Sequence, residues 1–187
     1  QAYPPWKDRV DGPVQAPHML VIGIGKMGEN LIVQAARAWR QRHPRTNQML
    51  RISLIDKEAR LRAEALGVRY PQLSKAFDLL PVEMDVRSPE FHRAEYLRGD
   101  GQGEVDIVYI CLDDDSLGLE TALRLQQRTR KDGLPIVVRM AEQAGLAKLL
   151  QMEGEQGRTY ANLHAFGLLD QTCTADLLVG GTHEALA

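Results

Sequence analysis

Short apolar runs alternate along the chain with stretches whose apolar residues recur at every third or fourth position. His18-Met19-Leu20-Val21-Ile22 is the first run and ends at a glycine, the pattern of a buried strand. From Glu29 to about His43 the apolar positions Leu31, Ile32, Ala35, Ala36 and Trp39 lie at helical spacing, and Pro44 ends the helix. The same alternation predicts further strands at 51–55, 80–84, 106–112, 136–139 and 162–166. Helices are predicted over 57–66, where Gly67 is the stop, from Ser88 to about Leu97, from about Ser116 to Thr129, and over 141–151. Ser88-Pro89-Glu90 is the strongest helix start, with a capping hydroxyl, a proline at the first position and an acid in the first turn. Near-continuous apolar strands separated by amphipathic helices require a parallel sheet covered on both faces.

Six such units predict an α/β fold of the Rossmann-like, doubly wound kind: a six-stranded, mainly parallel sheet with helices on both faces, in the order 3-2-1-4-5-6. The length of 187 residues suits one domain, and 44% apolar with 26% charged residues excludes a largely disordered chain. A net charge of −2 argues against nucleic acid as a main partner. No apolar run approaches the ~18 residues of a membrane span. Two cysteines, Cys111 and Cys173, make no disulfide framework and fit a reducing compartment. Pro4, Pro5, Pro13 and Pro17 mark residues 1–17 as a linker. Residues 18–170 are then the folded domain. Gly180-Gly181 followed by Thr182 to Ala187 reads as the opening of a helix, so 171–187 is expected to lead into a further domain of a longer protein.

The loop after the first strand carries the principal chemistry. Gly23-Ile24-Gly25-Lys26-Met27-Gly28 matches G-x-G-x-x-G, directly after a strand and directly before a helix. Gly23 permits the tight turn, Gly25 lets a pyrophosphate approach the backbone, and Gly28 lets the helix pack close to the strand. The helix N-terminus then offers free N–H groups and a partial positive charge to an anion. A tight structural turn with no ligand is the competing interpretation. A Walker A loop is rejected, because Met27 follows Lys26 where Ser or Thr is needed.

Other strand ends converge on the same crevice, since ligands bind outside the carboxyl ends of such strands. Asp56, at the end of the second strand, has two open roles: acceptor for the adenosine ribose hydroxyls, or cap of the helix that follows. It lies 28 residues beyond Gly28, more than the ~20 usually found, and the long first helix absorbs the excess. Its charge favours NAD(H) over NADP(H), with Lys57 and Arg60 pulling the other way. Asp85-Val86, after the third strand, is placed to touch the adenine. In Asp113-Asp114-Asp115 after the fourth, capping by Asp115 or Ser116 competes with ligand contact, and a hard cation is a further use of three acids. Arg139 ends the fifth strand and serves either a phosphate or a salt bridge at the sheet rim. The candidate cofactor-binding set is Gly23, Ile24, Gly25, Lys26, Met27, Gly28, Asp56, Lys57, Asp85, Val86, Leu112, Asp113 and Arg139.

Catalytic signatures are missing. The five histidines, His18, His43, His92, His164 and His183, show no metal-ligand spacing. The only Tyr-x-x-x-Lys is Tyr3–Lys7, ahead of the first strand, and no G-x-S-x-G occurs. Cys111 sits inside an apolar strand as a buried thiol. A cofactor site without a catalytic site is expected to sense, not to catalyse. The alternative is an NAD-dependent oxidoreductase fragment without its substrate domain. A third possibility is an assembly module with an empty cleft. Leu117, Leu119, Ala144, Leu146 and Leu149 are candidates for a dimer face, but the ordinary buried side of their helices is the favoured reading, since amphipathic helices usually face the core.

The set Val21 to Gly28, Leu54-Ile55-Asp56-Lys57, Met84-Asp85-Val86, Ile110 to Asp115 and Ile136 to Arg139 resembles an RCK (TrkA-N) domain, a regulator of potassium conductance, over about residues 18–170. The resemblance implies a cytoplasmic domain beneath a potassium channel or transporter. It also implies NAD(H), ADP/ATP or cations as ligands and assembly into dimers or rings, with the membrane pore elsewhere in the parent protein. Gly23–Gly28, Asp56 and Asp85 would be its ligand contacts. Met84-Asp85-Val86 departs from the family's usual Gly-Asp-Ala, and the second RCK lobe is absent. Thr182 to Ala187 is faintly similar to the start of ryanodine-receptor-type repeat domains.

Overall fold

The computed structural model describes residues 17–44, 48–73, 75–93, 95–97, 104–129, 133–140 and 162–166. In chain order these form β1 (His18–Ile22), α1 (Lys26–Arg42), β2 (Leu50–Asp56), α2 (Ala59–Arg69), β3 (Phe77–Glu83), α3 (Pro89–Arg93), β4 (Ile107–Ile110), α4 (Asp115–Arg128), β5 (Ile136–Arg139) and β6 (Leu163–Phe166). Short 3-10 turns at Pro71–Leu73 and Glu95–Leu97 follow α2 and α3. The six strands make one sheet in the order β3-β2-β1-β4-β5-β6, and every pairing is parallel. This is the Rossmann-like doubly wound α/β fold that the strand pattern predicts.

Alternation along β1 divides the core. Met19 and Val21 join Ile52, Leu54 and Tyr109 on one face, beneath Ile32, Val33, Ala36 and Trp39 of α1 and Leu66 of α2. Leu20 and Ile22 join Val108, Ile110 and Val138 on the other, beneath Phe91 of α3 and Ala122 and Leu125 of α4. The chain therefore changes faces between β1 and β4, and the crevice of such a fold opens where these two carboxyl ends part.

Several boundaries differ from the sequence pattern. The third strand is Phe77–Glu83, not 80–84: Asp78 and Pro81 interrupt its apolar run, yet Leu50↔Phe77 through Asp56↔Glu83 pair in register. Helix α2 passes through Gly67, whose position is open space, and stops at Tyr70, the residue before Pro71. It begins at Ala59, with Glu58 in the cap position, so Asp56 is not its N-cap. Helix α1 begins at Lys26, earlier than Glu29. The helix after Ser88 is split into α3 and a 3-10 turn, although its start is as predicted: the Phe91 N–H donates to Ser88 Oγ at 3.1 Å. The fourth strand is shorter than 106–112 at both ends. The helix over 141–151, with Ala144, Leu146 and Leu149, lies outside the described residues, as do Cys173, residues 1–16 and 171–187. Leu119 packs on the core under α4, and Leu117 is half-buried. Among the described residues no helix is long and apolar enough to cross a membrane.

Candidate functional site

The loop between β1 and α1 is held by three kinds of contact. Gly23 has φ +85°, a conformation that side chains rarely adopt, and its N–H donates to the Ile55 carbonyl at 2.9 Å. A Cβ on Gly28 would lie 2.3 Å from the Gly23 carbonyl oxygen, so the helix can approach the strand only with glycine there. Ile24 is buried in the core beside α1, while Lys26 and Met27 are exposed on the first turn of the helix. Gly25 is the N-cap of α1 and supplies no side-chain cap; the first helical bond runs from the Glu29 N–H to its carbonyl. Glu29, the acid in that first turn, is paired with Arg69 of α2.

Gly25 differs from the other two glycines. Its φ of −64° and ψ of −173° are open to any residue, and a Cβ there would meet nothing closer than the Asp113 carboxylate at 3.5 Å. Among the described residues, neither the turn nor the packing requires a glycine at this position.

Asp56 ends β2 beside the loop. Its Oδ2 accepts the N–H of Ile24 at 3.0 Å and its Oδ1 accepts the N–H of Glu58 at 3.0 Å, closing an Asx turn into α2. Arg62 completes the cluster: Nε lies 3.5 Å from Asp56, Nη1 donates to the Ile24 carbonyl at 3.3 Å, and Nη2 donates to Glu58 at 2.9 Å. One guanidinium thus touches the loop, the strand end and the helix.

On the β3 side, Lys57 pairs with Asp85 at 2.9 Å and Arg60 lies 3.7 Å from Glu83. The N–H of Arg87, then Lys57, hold the Asp85 carboxyl below its ordinary range. Val86 packs against the core under α3. On the β4 side, the Leu112 side chain lies against Gly23, 3.0 Å from where a Cβ would stand. The Leu112 carbonyl accepts from Arg139 Nη1 at 2.9 Å, and the same nitrogen is 3.3 Å from Asp113. Asp114 accepts the Leu117 N–H at 3.0 Å and is the cap of α4, the role expected of Asp115 or Ser116. Among the described residues no group of His, Cys, Asp and Glu is placed to hold a metal ion.

The sequence matches no family model and no curated protein. Among solved structures, the crystal structure of an NAD binding oxidoreductase from Klebsiella pneumoniae aligns with 81% of this chain and 34% of that chain, at 18% identity and a TM-score of 0.47. The chain therefore spans about a third of the length of that protein.

The loop, Asp56, Leu112, Asp113 and Arg139 are brought together by direct contacts, and Lys57 meets Asp85 one strand further out. Arg62 is not among the residues that the sequence pattern points to. Nothing in the sequence singles out this arginine of α2; it reaches the loop because α2 packs over the β2 end. Arg139 takes the rim contact, and Cys111 is buried beneath Gly28 with its thiol pushed up to about 12 by burial. A separate cleft of about 210 Å³, lined by Phe91, His92, Arg124, Leu125, Gln127 and Arg128, shares no residue with this cluster.

Proposed function

We propose that this domain binds NAD(H) or an adenine nucleotide as a regulatory, non-catalytic sensor. The observation that carries the reading is Gly25. The fold needs glycine at 23 and 28 for its own geometry, whereas at 25 nothing among the described residues gains from the missing Cβ and a bound group would. A pyrophosphate at a helix N-terminus is that kind of group. The first turn of α1 carries no side-chain cap that would compete with it. Gly23–Gly28 would hold the phosphates. Asp56 retains lone pairs for a ribose hydroxyl beyond those engaged by Ile24 and Glu58. The bound group would supply a charged, recognisable signal, and the protein would supply its seat.

The RCK resemblance extends the reading. The domain would sit at the cytoplasmic face of a membrane, pair into a dimer or ring, and act on a pore module of a potassium channel or transporter. Only a difference in nucleotide affinity between two arrangements of the domains could move that pore. Calorimetry with NAD⁺, NADH, NADP⁺, ADP and ATP, with Asp56→Ala alongside and a turnover assay on the same preparation, tests the reading. Binding weakened by the substitution and unaccompanied by turnover supports it; turnover moves the protein to the oxidoreductases; no binding by any of the five removes it. Titrating the conductance of the parent protein tests the regulatory half, which an unchanged response at saturated sites would defeat.

A further inference from the structure

The space in front of Gly25 is taken by a carboxylate. All three atoms nearest to a Cβ built on Gly25 belong to Asp113, its two oxygens at 3.5 and 3.8 Å and its carboxyl carbon at 4.0 Å. An acid beside the place where a nucleotide's phosphates would settle is at first sight the wrong charge. Its partner resolves the conflict. Arg139 Nη1 lies 3.3 Å from Asp113 Oδ1 and at the same time donates to the Leu112 carbonyl at 2.9 Å. The two side chains are unequal: Asp113 is 87% exposed, Arg139 only 20%. Asp113 can swing into solvent at little cost, since an exposed ion pair contributes little. Arg139 is anchored by β5 and by a backbone carbonyl, and its guanidinium carries more N–H donors than these two contacts use.

We propose that Asp113 and Arg139 are the phosphate-selecting element of the glycine-loop site. Asp113 holds the place beside Gly25, and a phosphate or pyrophosphate that enters displaces it and takes over Arg139. The inference rests on the nucleotide reading above and adds what that reading lacks: a reason for the ligand to need a phosphate. A phosphate repels the Asp113 carboxylate and forms a charge-assisted, two-pronged pair with the released guanidinium. A neutral nucleoside has nothing to offer Arg139 in exchange. The residues at the ends of β4 and β5 thus discriminate by charge, while the loop and Asp56 recognise the rest of the molecule.

The test is calorimetry of adenosine, ADP and NAD⁺, each with EDTA and with Mg²⁺, against the wild type, Asp113→Asn, Arg139→Gln and Arg139→Lys, after thermal melts establish that each variant is folded. Asp113→Asn removes the competing charge at an exposed site, and ADP and NAD⁺ are expected to bind roughly fivefold tighter. Arg139→Gln is expected to weaken both by roughly tenfold or more, with Arg139→Lys, which keeps the charge but not the fork, in between. Adenosine is expected to respond to none of them. Asp113→Asn that leaves ADP unchanged or weaker, or Arg139→Gln that shifts adenosine as much as ADP, overturns the proposal while the nucleotide reading stands. Weakening by Asp113→Asn only with Mg²⁺ also overturns it and makes Asp113 a metal-bridging residue. Failure of ADP and NAD⁺ to bind the wild type overturns both.

Discussion

The backbone N–H of Ile24 donates to Asp56 Oδ2 at 3.0 Å, so the acid at the end of β2 is a strut of the glycine loop. With the second oxygen on Glu58 and Arg62 alongside, this carboxylate ties β2, the loop and α2 together. Asp56→Ala is therefore expected to lower stability by ~1–3 kcal/mol, the usual range for a partly buried charged acceptor, and to weaken any nucleotide. Asp56→Asn, which keeps an oxygen for Ile24, is expected to lose less stability. Urea unfolding of both variants beside their binding isotherms separates the strut from the ligand contact.

Two of the loop glycines, Gly25 and Gly28, are expected to fail differently. Gly28→Ala drives a Cβ to 2.3 Å from the Gly23 carbonyl and should cost ~3 kcal/mol or more, or prevent folding. Gly25→Ala meets only the flexible Asp113 side chain and should melt within ~1 kcal/mol of the wild type, yet lose nucleotide affinity. Thermal melts and ligand titration of the two variants check the contrast. A Gly25→Ala variant that binds as well as the wild type would remove the main support for a phosphate at this loop.

Lys57 and Arg60 face Asp85 and Glu83, so the cations beside the β2 end are already matched by acids. NAD⁺ is expected to bind more tightly than NADP⁺, and the double variant Asp85→Asn with Glu83→Gln is expected to narrow the difference by roughly threefold, as exposed pairs allow. Calorimetry of both dinucleotides at two salt concentrations measures it, with the narrowing smaller at high salt.

Burial raises the Cys111 thiol from 9.0 to about 12 and the Tyr109 phenol from 10.0 to about 12. In both, the folded protein holds the proton more tightly than the unfolded chain, so their contribution is intact below pH 9 and is lost as pH rises towards 12. The urea midpoint is expected to fall between pH 9 and 11 more steeply than in Cys111→Ala. At pH 8 the Cys111 thiol should resist alkylation until the protein unfolds.

What could be read in advance was local. The β1–loop–α1 unit is written in adjacent residues, and the glycine spacing locates it without knowledge of the rest. Strand order followed from the repeated apolar runs. The misplaced features depend on neighbours far along the chain. Asp56 looks like a helix cap in sequence, but only one of its oxygens faces the start of α2, and the other is turned to a loop that precedes it by a whole helix and strand. Arg62 gains its role from how α2 lies on the sheet, and the meeting of Asp113 with Arg139 requires β4 beside β5. Gly67 has the sequence signature of a stop because glycine often is one, whereas the helix ends through the conformational demand of Pro71 on Tyr70.

Pro81 also changes what the outer side of β3 offers to another strand. The Met84 N–H donates inward to the Asp56 carbonyl, and donors alternate along a strand, so the nitrogen of Pro81 faces the outer side of β3. An incoming strand that tried to extend the sheet there would find a missing donor at 81 and exposed carboxylates at Asp78 and Glu83. This edge of the sheet is thereby protected against runaway edge-to-edge polymerisation.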